Sequence, residues 1–128
     1  MMHIASPCPL ALPKDDMELI KPAVEGTLAV MKGCHIHKVR RVVITSSMSA
    51  IKECKPQDMP RNKTFNEVNW SDPDGNHINA YSKSKTLAEK AAWDFQKKLP
   101  ENQRFEIVVL NPSMMVGPAF FKAESSSF

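Results

Sequence analysis

The chain has no apolar run that approaches the roughly 20 residues needed to cross a bilayer. Its first ten residues carry no basic stretch and are broken by Pro7 and Pro9, so neither a membrane span nor a secretory leader is expected. Cysteine is scarce and odd in number: Cys8, Cys34 and Cys54 are widely spaced, with no Cys-x-x-Cys pair. That argues against a disulfide framework and for reduced thiols in a cytoplasmic setting. An excess of one charge is lacking too. Seventeen Lys and Arg against 14 Asp and Glu leave a net charge of +3, scattered over 128 residues. Neither nucleic acid nor a membrane surface is indicated as a partner. His35-Ile36-His37 has no Cys or carboxylate at a ligand spacing, so a polar turn is expected there and no metal. Internal repeats are absent, and the only biased tract is Ser125-Ser126-Ser127. What is present is ordinary for a globular protein, 42% hydrophobic and 24% charged. The length suits one modest domain with one core.

Along the chain, strand and helix signals alternate. Residues 1–10 read as the tail of a strand entering a Pro-rich turn. Asp15 and Asp16 are helix N-cap candidates, and Ile20, Val24, Leu28 and Met31 recur at helical spacing. Pro22 is tolerated only in a first turn, which puts the regular helix from about Lys21 to a stop at Gly33. Val42-Val43-Ile44-Thr45 is a β-branched run without polar alternation, the pattern of a buried parallel strand, and it ends in Ser46-Ser47. Residues 52–78, rich in proline and polar groups, read as a long surface excursion. A helix is expected over residues 80–98, with Leu87, Ala88, Ala91, Ala92 and Phe95 as a small-residue face, ending at Leu99-Pro100. A last strand is expected over 105–110, closed by Asn111-Pro112. This order argues for βαβ units, hence an α/β fold with a parallel sheet.

The chemistry centres on Ala80-Tyr81-Ser82-Lys83-Ser84-Lys85. On a helix, Tyr81 and Lys85 rise on one face, four residues apart. A lysine ammonium beside a phenol favours the phenolate and lowers its pKa, which makes Tyr81 a candidate general acid or base. Taken alone, the pair is also what a solvated helix shows, and Ser46 and Ser47 are also what caps a strand turn. In a right-handed βαβ unit, however, Ser47 and the start of the following helix can meet at the carboxyl edge of the sheet. A hydroxyl donor, a lysine-tuned phenol and a strand-end cleft suit carbonyl reduction.

Several stretches carry a resemblance. His3-Ile4-Ala5-Ser6-Pro7, the segment from Ile20 to Thr27, Arg41-Val42-Val43-Ile44-Thr45-Ser46-Ser47 and residues 81–93 follow one another at the order and spacing of a known family. So do the flanking Asn66-Glu67-Val68-Asn69-Trp70-Ser71-Asp72 and Asn111-Pro112-Ser113-Met114-Met115-Val116-Gly117-Pro118. The chain resembles the middle of an extended short-chain dehydrogenase/reductase, in the group of dihydroflavonol and cinnamoyl-CoA reductases. The resemblance implies a partial Rossmann-type, doubly wound parallel sheet, with residues 1–120 as a partial NAD(P)-binding domain and 121–128 as a tail. It implies an oxidoreductase that reduces an aldehyde or ketone, with NADP(H) favoured over NAD(H). Ser47 would polarise the carbonyl, Tyr81 would donate the proton, and Lys85 would lower its pKa and hold the nicotinamide ribose. Ala5, Ser6 and Thr45 would lie along the cofactor, and Pro112, Ser113 and Met115 would line the nicotinamide pocket.

The departures are informative. Gly26, Gly33, Gly75 and Gly117 are not clustered, whereas the family holds its pyrophosphate on a Gly-x-x-Gly-x-x-Gly turn. The expectation is therefore a fragment without the N-terminal phosphate site and the C-terminal substrate segment. Lys52 stands where dihydroflavonol reductases have a substrate-selecting polar residue. Residues 79–85 also depart from the signature of cinnamoyl-CoA reductases, so neither substrate is implied. The alternative is a truncated, non-catalytic fragment or interaction module, completed by self-association or by a partner supplying the missing unit. Ala88, Ala91 and Ala92 would permit such pairing through the Tyr81 helix. Trp70-Ser71-Asp72 and Thr86-Leu87-Ala88-Glu89 favour the reductase branch over a nucleotide-sugar epimerase or dehydratase.

Overall fold

The β-branched run after Arg40 takes the extended form that its side chains prefer. In the computed structural model, which describes residues 1–8, 13–62 and 64–117, it is the middle strand of a three-stranded parallel sheet. This is β2 (Arg41–Thr45). On one side lies β1 (Met2–His3), with Met2 opposite Val43 and His3 opposite Ile44. On the other lies β3 (Glu106–Leu110), in register from Arg41 opposite Glu106 to Thr45 opposite Leu110. Parallel neighbours need long crossovers, and here these are α1 (Met17–Ile36) and α2 (Ala80–Lys98). The result is the parallel sheet that the alternation implies, and the partial Rossmann-type fold that the resemblance implies. The tail at 121–128 and Pro118 lie outside the described residues.

Side chains alternate across a strand. Val42 and Ile44 point to one face and form the core with Met31, Cys34, Ala92 and Phe105, joined at its margin by Ile107 and Val109. The other face is open. Met2, Val108 and Leu110 stand on it at 64%, 40% and 53% exposure.

α1 differs from the expectation at both ends and in its buried face. It begins at Met17, four residues before Lys21, so Pro22 lies inside the helix. The first-turn donors are satisfied locally, which permits the early start: the Met17 N–H donates to Asp15 Oδ1 at 2.9 Å, and the Leu19 and Ile20 N–H groups donate to the Asp16 carbonyl. The helix also runs past Gly33 to Ile36. It stops at Lys38, which takes the left-handed conformation at φ 52°. The Val39 N–H then bonds the Cys34 carbonyl at 2.9 Å and the Lys38 N–H bonds the His35 carbonyl at 3.2 Å, the paired bonds of a Schellman ending. The buried residues are Leu19, Ala23, Thr27, Met31 and Cys34, not the stripe through Ile20, Val24 and Leu28. The helix is turned by one position because long-range contacts set its face. His3 Nε2 on β1 meets Thr27 Oγ1 at 3.2 Å, and Lys83 Nζ on α2 meets Asp16 Oδ2 at 2.6 Å.

α2 keeps the expected bounds because its signals are local. Asn79 caps it, its side chain accepting from the Ser82 N–H at 2.8 Å. Leu99, held extended before Pro100, ends it. Arg104 donates to the Lys97 and Leu99 carbonyls at 3.0 and 3.1 Å, which satisfies acceptors that a helix end leaves open. Its buried hydroxyls turn inward. Thr86 Oγ1 donates to the Ser82 carbonyl and Ser84 Oγ to the Tyr81 carbonyl, both at 2.7 Å. Ala88 and Ala92 are buried in the chain's own core at 8% and 0% exposure, so two of the three alanines read as a pairing surface are not available to one. The excursion after β2 is anchored by Ser71, which accepts from the Glu53 N–H and donates to the Ser49 carbonyl, both at 2.8 Å.

Candidate active site

Beyond Thr45 the chain leaves the sheet at its carboxyl edge, where α/β folds place their ligands. The Ser46 N–H still donates to the Leu110 carbonyl at 2.8 Å. Ser47 is extended and caps a short 3-10 turn over Met48–Ala50, its Oγ accepting from the Ser49 N–H at 3.2 Å. That contact uses Ser47 as an acceptor and leaves its own O–H to donate. It meets Tyr81, the second residue of α2, in a side-chain hydrogen bond. One helical turn on, Lys85 Nζ lies 5.4 Å from the centroid of the Tyr81 ring. Ser47, Tyr81 and Lys85 are thus brought together, with Ser47 serving as both turn cap and phenol partner.

The electrostatics differ from the sequence expectation. Burial pushes the Tyr81 phenol above its ordinary value, the Ser47 hydrogen bond opposes that rise, and contact with Cys8 adds to it. The Lys85 ammonium sits over the ring as a cation–π contact. Burial lowers the pKa of Lys85 itself, and the charge of Cys8 opposes this. His3 is lowered too, first by burial and then by the charge of Lys85. Lys85 is only 7% exposed, and among the described residues it forms no ion pair.

Ala5, Ser6 and Thr45, expected along the cofactor, line a small cavity with Lys85, Ser46 and His3. Ser46 Oγ is buried in it without a hydrogen-bond partner among the described residues. Pro112 reaches the site through its backbone, its carbonyl accepting from the Met48 N–H at 3.0 Å. Ser113 and Met115 do not line this cavity and are exposed. Sequence reasoning missed Ser46, His3 and Cys8, whose placement depends on the packing of β1 against β2 and α1. It also gave no role to Glu89 and Asn111. Glu89 continues the spacing of Tyr81 and Lys85 by one further turn, a signal that was available. Asn111 Nδ2 donates to Glu89 Oε2 at 2.9 Å and to the Ser47 carbonyl at 3.1 Å.

Two other depressions lie apart from Tyr81. One of about 410 Å³ is lined by Ile51, Trp70, Glu89, Trp93, Val109 and Asn111. One of about 830 Å³ opens at the opposite, amino-terminal edge of the sheet, between Lys38, Arg40, Arg104 and Phe105. Its remoteness from Ser47 and Tyr81 separates it from the chemistry. Among the described residues no cluster of three or more His, Cys, Asp or Glu could hold a metal, and no helix is long and apolar enough to cross a membrane.

Known proteins are similar to this chain in sequence and fold. The NADPH-dependent methylglyoxal reductase of Saccharomyces cerevisiae is 34% identical over 94% of this chain and 37% of its own length. Dihydroflavonol 4-reductase of Arabidopsis thaliana is 36% identical over 92% of this chain and 30% of its own. The crystal structure of yeast methylglyoxal/isovaleraldehyde reductase complexed with NADPH superposes with a TM-score of 0.73 at 33% identity, covering 94% of this chain and 37% of that one. The chain therefore spans about a third of the length of the relatives it matches. The resemblance to extended short-chain dehydrogenase/reductases is borne out. With residues 1–125 matching its pattern, the chain belongs to the 3-beta hydroxysteroid dehydrogenase/isomerase family.

Proposed function

We propose that residues 1–120 are the catalytic part of an NADPH-dependent oxidoreductase that reduces an aldehyde or ketone. The observation that carries this is the meeting of Ser47, Tyr81 and Lys85 at the carboxyl edge of β2. The chain's similarity to NADPH-dependent methylglyoxal reductase supports both the substrate class and the cofactor.

Tyr81 gives its O–H proton to the carbonyl oxygen, and Ser47 donates a hydrogen bond to the same oxygen and polarises the carbon. Since burial holds the phenol above its ordinary value, Tyr81 is protonated at neutral pH and ready to donate, which suits reduction. The surroundings of Lys85 fit a ribose: its ammonium is not claimed by a carboxylate among the described residues, and the unpartnered Ser46 hydroxyl lines the same cavity. When bound, a reduced nicotinamide supplies the hydride to the carbonyl carbon. Ala5, Ser6 and Thr45 line the cofactor path, and Pro112, Ser113 and Met115 lie towards the nicotinamide. We also infer a cytoplasmic setting, in which the buried thiols of Cys34 and Cys54 stay reduced.

The test is titration of the purified chain with NADPH, following nicotinamide fluorescence and thermal melting together. Binding tighter than about 100 μM is expected, with a rise in melting temperature. NADPH should bind more tightly than NADH. With methylglyoxal as substrate, Tyr81→Phe should keep binding and lose turnover. Absence of binding at millimolar NADPH would overturn the catalytic reading for this chain.

A further inference from the structure

Glu89 is a carboxylate buried to 6% exposure, and among the described residues no cation pairs with it. A buried charge is tolerated when its oxygens are hydrogen-bonded, and here both are. Trp93 Nε1 donates to Oε1 at 3.5 Å, and Asn111 Nδ2 donates to Oε2 at 2.9 Å. The same amide nitrogen donates to the Ser47 carbonyl at 3.1 Å. One nitrogen therefore joins three segments: α2 through Glu89, the residue after β3 through Asn111, and the end of β2 through Ser47. Ser47 is also the residue whose hydroxyl meets Tyr81, and Tyr81, Lys85 and Glu89 lie along one stripe of α2, four residues apart.

We propose that Glu89 is a positioning residue: acting through Asn111, its carboxylate holds the Ser47 main chain so that the Ser47 hydroxyl faces Tyr81. This rests on the reading of Tyr81 and Ser47 as the proton-donating pair and adds the element that keeps them aligned. A carboxylate suits the task because it accepts from two donors at once. Glutamine of the same shape must turn its NH₂ towards one of those donors: facing Asn111 it loses that contact, and facing Trp93 it offers Asn111 a neutral oxygen, whose bond is weaker than a carboxylate's.

The chain has a single tyrosine, so phenolate absorbance as a function of pH reports Tyr81 alone, without cofactor or turnover. Cys8 and Lys85, the other ionisable groups against Tyr81, stay unchanged in every arm. Ser47→Ala should move the phenol titration to higher pH, because a bond favouring the phenolate is lost. Glu89→Gln should move it in the same direction, and the double variant should go no further than Ser47→Ala alone. Asn111→Leu is the second route to the same result should Glu89→Gln fold poorly, with far-UV circular dichroism confirming the fold. An unchanged titration in folded Glu89→Gln would overturn the proposal. So would a shift to lower pH, the sign expected when a nearby negative charge is simply removed, or full additivity with Ser47→Ala. Failure of NADPH binding leaves this readout intact, so the two readings fail separately.

Discussion

At the scale of single residues, the site depends on what burial does to ionisable groups. Tyr81 rises, while Lys85 and His3 fall, and burial is the first cause in each case. His3 has the consequence nearest neutral pH. Its folded pKa lies below the ordinary 6.5, so the folded chain prefers the neutral ring. The stability this contributes is complete above pH 6.5 and is lost as pH falls through the folded pKa. Thermal melting followed downward from pH 7 should therefore show a decline that begins near the ordinary histidine range. His3→Gln, which can still bond Thr27, should flatten that limb; an identical limb in the variant would refute the assignment. The sequence made Tyr81, Lys85 and Ser47 legible because helix spacing and strand ends are local patterns. It did not show Glu89 reaching Asn111 across 22 residues, or Cys8 against Tyr81, because those meetings exist only once β1, β2 and α2 have packed.

At the scale of elements, boundaries were readable where one residue decides them. Pro100 marks the end of α2, and the β-branched runs mark β2 and β3. α1 was harder, since Gly33 is a permissive stop that the helix passes, and its end is made by Lys38 at φ 52°. A side chain in the left-handed region is strained by roughly 1–2 kcal/mol relative to glycine. Lys38→Gly should therefore raise stability by about 0.5–1 kcal/mol once the greater chain entropy of glycine is counted. Urea unfolding of the two proteins checks this, and a loss of stability would mean that the Lys38 side chain contributes contacts. The buried face of α1 was misread for a different reason. Hydrophobicity favoured Ile20, Val24 and Leu28, but the packed helix buries Ala23 and Thr27, where His3 and the neighbouring helix set the rotation.

At the scale of the whole molecule, the described sheet has one covered face and one open one. Met2, Val108 and Leu110 are apolar and at least 40% exposed on the same side, a grouping that attracts hydrophobic ligands. The chain should enhance the fluorescence of a hydrophobic dye such as ANS in its folded state. Val108→Thr combined with Leu110→Thr should reduce that signal while shifting stability by less than about 1 kcal/mol, since these positions lie outside the core. Unchanged dye binding would place the apolar surface elsewhere.

β2 has a further consequence for how long the site persists. Among the described strands it alone is bonded along both edges, so releasing its backbone requires two ladders to part at once. Amides shielded in this way exchange with solvent mainly through the rarest openings. β1, paired over two residues, can fray long before that. Ser47 is the second residue after this central strand, so the hydroxyl facing Tyr81 is tethered to the best protected of the described strands. Ala5 and Ser6 follow the strand that lets go first. The cavity lined by Ala5 and Ser6 can therefore fluctuate while Ser47 keeps its place.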